Sequence, residues 1–201
     1  MIIDLGLLPT RERYAWMTAT VLPRPIAFIS TVSPEGVVNL APFSYFNGVS
    51  STPPVLSVAI GPKRGGVSKD TIRNIEATGE LVINVVPRAI AELMVKTSGD
   101  YDPDVSEFDV SGLTRVPSQL VRPPRVGECP IAFECRCLQV VKVGAQDMAT
   151  SLVLAEVVLL HVSDDVLTDG RVDPRKVDPV ARLGGSLYAT LGEVWSIQRP
   201  E

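Results

Sequence analysis

The sequence predicts a mainly β fold, an antiparallel barrel with a few short helices, formed as one domain over residues 1–201. Two long β-branched runs, residues 132–143 and 151–162, flank a polar turn at 144–147, which is the pattern of a hairpin. Residues 24–60 read as strand, turn, strand, loop and strand. Strands are many, helices are few, and the helical crossovers of a parallel sheet are absent, so antiparallel pairing is favoured.

The stretch from residue 24 to residue 60 organises the rest of the chain. Its first strand is predicted from Ile26, Phe28 and Val32, which alternate with their neighbours at the period of two expected for a strand. Pro34, Glu35 and Gly36 supply a reverse turn into the next strand. Residues 39–54, rich in serine, asparagine and aromatic side chains, are predicted to form a loop.

Apolar spacing and the positions of Gly and Pro predict short helices elsewhere. One helix is expected around residues 11–17, with a stop at Pro23, and a second after the glycine-rich turn 61–66, with Ile72 and Ile75 on one face and an end at Gly79. A third is expected over residues 88–97, with Ile90, Leu93 and Met94 buried. A fourth is expected to begin at Asp178 as the N-terminal cap, with Pro179 in the first turn. A strand is expected over 80–86. Residues 98–124, dense in Gly, Pro and Asp, are predicted to leave the barrel as a surface loop, or alternatively as a lid or dimer arm.

Composition excludes some classes of function and favours others. A net charge of -4 gives no electrostatic reason to expect nucleic acid, which requires a basic face. No apolar run reaches the roughly 18 to 20 residues of a membrane span, and the first residues lack the order of a signal peptide, so we expect a cytoplasmic protein. A hydrophobic fraction of 45% is high for a monomer, and a subunit interface would cover the surplus apolar surface.

The cysteines and the single histidine give little support for a metal site. Cys129, Cys135 and Cys137 do not have metal-ligand spacing, and we interpret them as small buried hydrophobic residues in a reducing compartment. His161, at the end of an apolar strand, is the only histidine, and no nucleophile elbow accompanies it.

Lys69 and Thr71 stand at the start of a predicted helix. Free backbone N–H groups and the positive end of the helix dipole attract an anion there, and the lysine and threonine add a charge and a hydroxyl. The residues therefore outline a phosphate site. The alternative is an ordinary helix start capped by Asp70.

Four segments of the chain resemble the flavin reductase-like family of FMN-binding split barrels. They are Arg24-Pro25, Ser30-Thr31, residues 39–44 (NLAPFS) and residues 69–75 (KDTIRNI), and the resemblance extends from about Tyr14 to Trp195. It implies a split barrel and favours the phosphate interpretation of Lys69 and Thr71, because the family holds the FMN phosphate at the matching segment.

The resemblance also implies which residues contact the cofactor. Hydroxyls and amides suit the pyrimidine edge and ribityl chain of the flavin, and small residues let the backbone approach its ring. The implied set is Arg24, Ser30, Thr31, Asn39, Ala41, Pro42, Phe43, Ser44, Asn47, Lys69, Thr71 and Tyr188. The open alternatives are a sheet surface for Ser30 and Thr31, loop closure for Asn47 and core packing for Tyr188.

For activity, the resemblance implies hydride transfer from NAD(P)H to a bound flavin, FMN or alternatively FAD, with free flavin, oxygen or a protein as acceptor. In relatives a histidine at the place of His161 lies near the nicotinamide side, so His161 is the candidate catalytic residue; the alternative is a half-buried histidine at a strand end. The resemblance further implies a homodimer with the flavin at the subunit interface. The competing functions are an electron carrier like flavoredoxin, without a productive NAD(P)H site, and a bare barrel that binds haem or no cofactor.

Overall fold

A computed structural model describes residues 1–145 and 148–200. Helices in this part of the chain are α1 (Thr10–Thr20), α2 (Asp70–Thr78), α3 (Ala91–Lys96), α4 (Glu107–Ser111) and α5 (Pro174–Val177), with 3-10 turns at Leu5–Leu7, Arg64–Gly66, Arg88–Ile90 and Asp164–Val166. Strands are β1 (Arg24–Pro25), β2 (Ala27–Val32), β3 (Val38–Phe43), β4 (Phe46–Ser51), β5 (Pro54–Ile60), β6 (Glu80–Val85), β7 (Arg115–Val116), β8 (Arg125–Val126), β9 (Ile131–Val143), β10 (Thr150–Val162), β11 (Leu167–Thr168), β12 (Arg171–Val172), β13 (Ala181–Arg182) and β14 (Tyr188–Ala189).

The main sheet has seven strands in the order β3-β2-β6-β9-β10-β5-β4, and every pair is antiparallel. Its two edges, β3 and β4, are joined in sequence by only two residues, Ser44 and Tyr45. Because the three residue steps from Phe43 to Phe46 span at most about 11 Å, the edges must approach each other and the sheet must curl. The predicted antiparallel split barrel with a few short helices is confirmed.

The long hairpin of β9 and β10 is confirmed with nearly the predicted limits. Thr150 pairs with Val143 at the turn and Val162 with Ile131 at the far end, with two shifts of register between them. The predicted turn over 144–147 lies partly outside the described residues, since Gln146 and Asp147 are not among them.

The prediction of a loop over residues 39–54 is wrong. This segment contains most of β3, all of β4 and the first residue of β5. β4 is an edge strand that pairs only with β5, and most of its side chains are exposed. An exposed edge tolerates the serine and asparagine residues that suggested a loop, because backbone pairing rather than side-chain burial fixes the strand.

Two helix predictions need correction. α2 ends at Gly79 in the left-handed conformation, as expected. In the 88–97 segment, however, Leu93 is 37% exposed and not buried, although Ile90 and Met94 are buried as predicted. The helix expected at Asp178 begins one Asp-Pro pair earlier, where the Asp173 side chain accepts a hydrogen bond from the Arg175 amide.

The 98–124 excursion packs more tightly than a surface loop. One core cluster lies inside the barrel and includes Ile29, Ile83 and Cys135. A second lies outside β2 and β3, where α3 and the excursion cover the sheet with Met94 and Phe108. The excursion thus forms one wall of the space above β3.

Within the described residues, every helix is too short or too polar to cross a bilayer.

Candidate flavin site

A cleft of about 500 Å³ opens where β3, the start of α2 and the excursion meet. Five of the residues predicted to hold the cofactor line it: Asn39, Ala41, Pro42, Lys69 and Thr71. A cavity of about 200 Å³ adjoins the cleft at Pro42 and Ser98, and three more predicted residues line it: Phe43, Ser44 and Tyr188. The fold therefore brings eight of the predicted cofactor residues together in space.

Lys69 immediately precedes α2 and supplies the positive charge of the cleft. The ammonium group lies 5.8 Å from the centre of the Phe43 ring, a cation–π distance. Among the described residues no carboxylate oxygen comes within 4.0 Å of it. The helix start has no side-chain cap, and Asp70 is the first helical residue rather than the cap. The backbone N–H groups of the first turn are thus available to an anion.

The negative charge of Asp70, also at this helix start, is compensated by two cations. Its carboxylate pairs with Lys63 at 3.1 Å and with the guanidinium of Arg73. Lys63 also lies 3.2 Å from Asp100, and its hydrogen bond to Asp70 raises the pKa of the ammonium despite partial burial. Lys69 is consequently the cation of the cleft that is left for a ligand.

The floor of the cleft holds a buried carboxyl group, Glu107, that the sequence did not indicate. It is 8% exposed, and its Oε2 accepts a hydrogen bond of 2.8 Å from the Leu40 amide. Asn39 bridges from Glu107 to Thr71, whose Oγ1 lies 2.9 Å from the Asn39 amide. Burial raises the pKa of Glu107 more than the Leu40 hydrogen bond lowers it.

Comparison with known proteins assigns the fold to a family. The sequence model of one protein family, the flavin reductase like domain, matches residues 18–178 of this chain. The chain belongs to the flavin reductase-like family. It is 39% identical to the uncharacterized protein BH2278 of Halalkalibacterium halodurans over 100% of this chain and 97% of that protein.

Two solved structures in particular resemble this flavin reductase-like chain. Nitrilotriacetate monooxygenase component B from Bacillus cereus has a TM-score of 0.94 and 33% identity, covering 98% of each chain. The 2-nitrobenzoate 2-nitroreductase NbaA of Pseudomonas fluorescens has a TM-score of 0.87 and 30% identity, covering 100% of this chain and 96% of the other. Both likenesses extend over the whole barrel.

Three of the predicted cofactor residues of this flavin reductase-like chain have hydrogen-bond partners within the chain. Ser30 is fully buried and donates a 2.5 Å hydrogen bond to the Pro124 carbonyl. Thr31, also buried, accepts a hydrogen bond from Asn74. Their contacts with a cofactor stay predictions.

Arg24, the third, is 4% exposed and joins the first helix to the C-terminal segment. Its guanidinium donates to the carbonyls of Thr18, Val21 and Leu183, at 2.5, 2.8 and 2.9 Å, and its Nε lies 3.3 Å from Ser44 Oγ. The physical role visible in the structure is to fix the wall of the smaller cavity.

Asn47 and Tyr188 occupy different surroundings. Asn47 is exposed on β4, where its side chain accepts a hydrogen bond from the Gly48 amide, and it does not line the cleft. Tyr188 lines the smaller cavity with Arg182 stacked at 4.3 Å from the ring centre. Of the two, only Tyr188 is placed beside the other predicted site residues.

His161 lies at the end of β10 and does not line the cleft or the adjoining cavity. Its Nε2 is 2.6 Å from Oε1 of Glu134, a carboxylate that is fully buried. The same carboxylate accepts hydrogen bonds from the amides of Gln119 and Leu120 in the excursion. A contact of His161 with nicotinamide stays a prediction, while its contact with Glu134 is a feature of the fold.

Proposed function

We propose that this chain binds FMN in the cleft and transfers hydride from NAD(P)H to it. The observation that carries the proposal is the Lys69 ammonium at the start of α2, which has neither a carboxylate partner nor a side-chain cap beside it among the described residues and lies in a cleft of the size that small ligands occupy. A phosphate monoester placed there would meet a cation, helix N–H groups and the positive end of the dipole.

The rest of the cleft has the chemistry that a flavin requires. Ala41 and Pro42 form a wall of small apolar groups where the cleft meets the smaller cavity. Phe43 and Tyr188 in that cavity offer aromatic surfaces for a flat ring. FMN in this place would supply the hydride-accepting chemistry, so the protein has only to bind, orient and exclude water. The solved relatives with 33% and 30% identity, named as a monooxygenase component and a nitroreductase, support redox chemistry of this kind.

The holoprotein should be yellow and should lose its flavin absorbance when mixed anaerobically with NADH or NADPH. Stopped-flow mixing with each nicotinamide measures the rate, and dithionite reduction of the same sample serves as the reference for complete bleaching. Bleaching by dithionite alone would contradict hydride transfer and favour the electron-carrier function. A preparation that binds no FMN would contradict the flavin site itself.

We further propose that the protein is a homodimer with the flavin at the subunit interface. Large apolar side chains remain exposed on β4 and in the C-terminal segment, among them Val49 (56% exposed), Leu187 (63%) and Trp195 (70%). Such a surface is typical of an interface. Light scattering at micromolar concentration should give about twice the chain mass of 21.6 kDa. A monomer that binds FMN tightly would contradict both the assembly and the shared site.

A further inference from the structure

The amide of Asn39 lies between a carboxyl group and a hydroxyl group on the floor of the cleft. One end of the amide is 2.9 Å from Thr71 Oγ1, and the other is 3.3 Å from Glu107 Oε1. The amide can be placed in either of two orientations, since its oxygen and nitrogen have the same shape. Which orientation is stable depends on whether Glu107 carries a proton.

With Glu107 ionised, Asn39 must donate to it. The amide nitrogen then faces Glu107 Oε1, and the amide oxygen accepts from the Thr71 hydroxyl and from the Leu40 amide, at 2.9 and 3.2 Å. The only hydroxyl hydrogen of Thr71 is used within the chain in this state. Thr71 cannot then donate to a ligand.

With Glu107 protonated, the bonds reverse. The carboxyl hydrogen donates to the Asn39 oxygen, and the Asn39 nitrogen donates to Thr71 Oγ1 at 2.9 Å. The hydroxyl hydrogen of Thr71 is released, at the start of a helix that is nine residues long. Thr71 becomes a donor for an anion in the cleft.

We infer that binding of a phosphate monoester in the cleft is coupled to uptake of one proton by Glu107. The proton comes from the solvent and forms an O–H bond on the Glu107 carboxylate; the Asn39 amide turns, and the Thr71 hydroxyl donates to the phosphate. The inference deepens the proposed function and rests on it, because the phosphate considered is that of FMN.

The charges around Glu107 favour this coupling. The ionisable groups that line the cleft with it are Lys63 on the turn, Lys69 and Asp70 at the start of α2, and Asp100 and Tyr101 on the excursion. Lys63 is engaged by both aspartates. A phosphate dianion close to an ionised, buried Glu107 would face like-charge repulsion, which protonation removes. Burial raises the pKa of Glu107, which acts in the same direction as this coupling.

Calorimetric titration of the wild-type chain and of Glu107→Gln with FMN, at pH 8 in buffers of different ionisation enthalpy, measures the protons taken up. At this pH the phosphate of free FMN, with a second pKa of about 6, is a dianion and contributes little. Gln keeps an acceptor for the Leu40 amide and removes the titration. We expect the wild type to take up more protons than the variant, by up to one proton for each FMN bound. As the pH rises above the pKa of Glu107, the FMN affinity of the wild type should also fall relative to that of Glu107→Gln, by up to about tenfold for each pH unit.

Riboflavin, which lacks the phosphate, should show equal proton uptake with both chains. Glu35→Gln removes an exposed carboxylate from the β2–β3 turn and should behave as the wild type. Equal uptake by wild type and Glu107→Gln with FMN overturns the inference while leaving the FMN site intact. If FMN does not bind to the wild type, the proposed function itself is wrong.

A second variant tests the inference even if Glu107→Gln does not fold. Thr71→Val preserves shape and removes the hydroxyl that is released. It should reduce the preference for FMN over riboflavin about tenfold at pH 6 and less at pH 9, where the wild-type hydroxyl is already engaged by Asn39. An equal reduction at both pH values would contradict the switch.

Discussion

Replacing Lys69 with Ala should weaken FMN binding by about 1.5–3 kcal/mol and leave riboflavin binding nearly unchanged, as expected for loss of a charge-assisted hydrogen bond. The reason is geometric. Lys69 Nζ has a ring face beside it and no carboxylate within 4.0 Å in the described part of the chain, so its charge remains available to an anionic ligand. Fluorescence quenching of each flavin during titration measures the two affinities.

Lys142→Ala provides the matched control. It removes the same charge from a different cavity, where Lys142 pairs with Glu76 at 2.6 Å. FMN and riboflavin should bind this variant as they bind the wild type. If Lys69→Ala weakened both flavins equally, the phosphate would have to lie elsewhere, and Lys69 would act only on the shape of the cleft.

The barrel could be predicted from the sequence wherever local pattern and tertiary environment agree. β2, β6 and the β9–β10 hairpin are buried on at least part of each face, so their apolar content signals strands directly. β4 was not predicted, because its exposed serine and asparagine side chains lack the apolar alternation of a strand, and backbone pairing to the adjacent β5 fixes it instead.

The candidate site likewise contains residues whose position follows from local sequence and residues that tertiary packing places. The position of Lys69 and Thr71 at a helix start was predictable because a helix start is a local property, and their contact with a phosphate stays a prediction. Glu107 was not predictable, because it reaches the cleft only through the packing of α4 on β3, 67 residues away from the Leu40 amide that it accepts from. Arg24 has a structural role that its motif did not indicate. Its contact with a cofactor stays a prediction, while its buried guanidinium donates to carbonyl groups that only the fold brings together.

Replacing Glu134 with Ala should lower the free energy of unfolding by about 3–5 kcal/mol, the range for removing one partner from a buried charged network. Glu134 is fully buried and accepts three hydrogen bonds: from the Gln119 amide at 2.8 Å, the Leu120 amide at 2.6 Å and His161 at 2.6 Å. Removing the carboxylate leaves these donors unsatisfied and releases the excursion from β9. Urea denaturation measures the loss.

Two companion variants separate the contributions of the charge and of the histidine. Glu134→Gln keeps an acceptor and should lose less stability than Glu134→Ala. His161→Ala removes one of the three donors and should cost less again. If His161 acts only on Glu134, the rate of flavin reduction by NAD(P)H stays unchanged in His161→Ala. A roughly tenfold slower reduction with unchanged FMN affinity would instead support the predicted nicotinamide contact, since that factor corresponds to about 1.4 kcal/mol of positioning.

The pH dependence of stability gives Glu134 its sharpest test. Burial raises the pKa of this carboxyl, but the amides of Gln119 and Leu120 together with His161 outweigh burial and lower it below its usual value. A lowered pKa means that the contribution of the carboxylate is complete above about pH 4.3, the unfolded value, and is lost as the pH falls through the folded value. The stability difference between wild type and Glu134→Gln should therefore shrink as the pH falls below about pH 4. A difference that grew on acidification would mean that Glu134 is protonated in the folded protein, and that the excursion is held by a neutral carboxyl group.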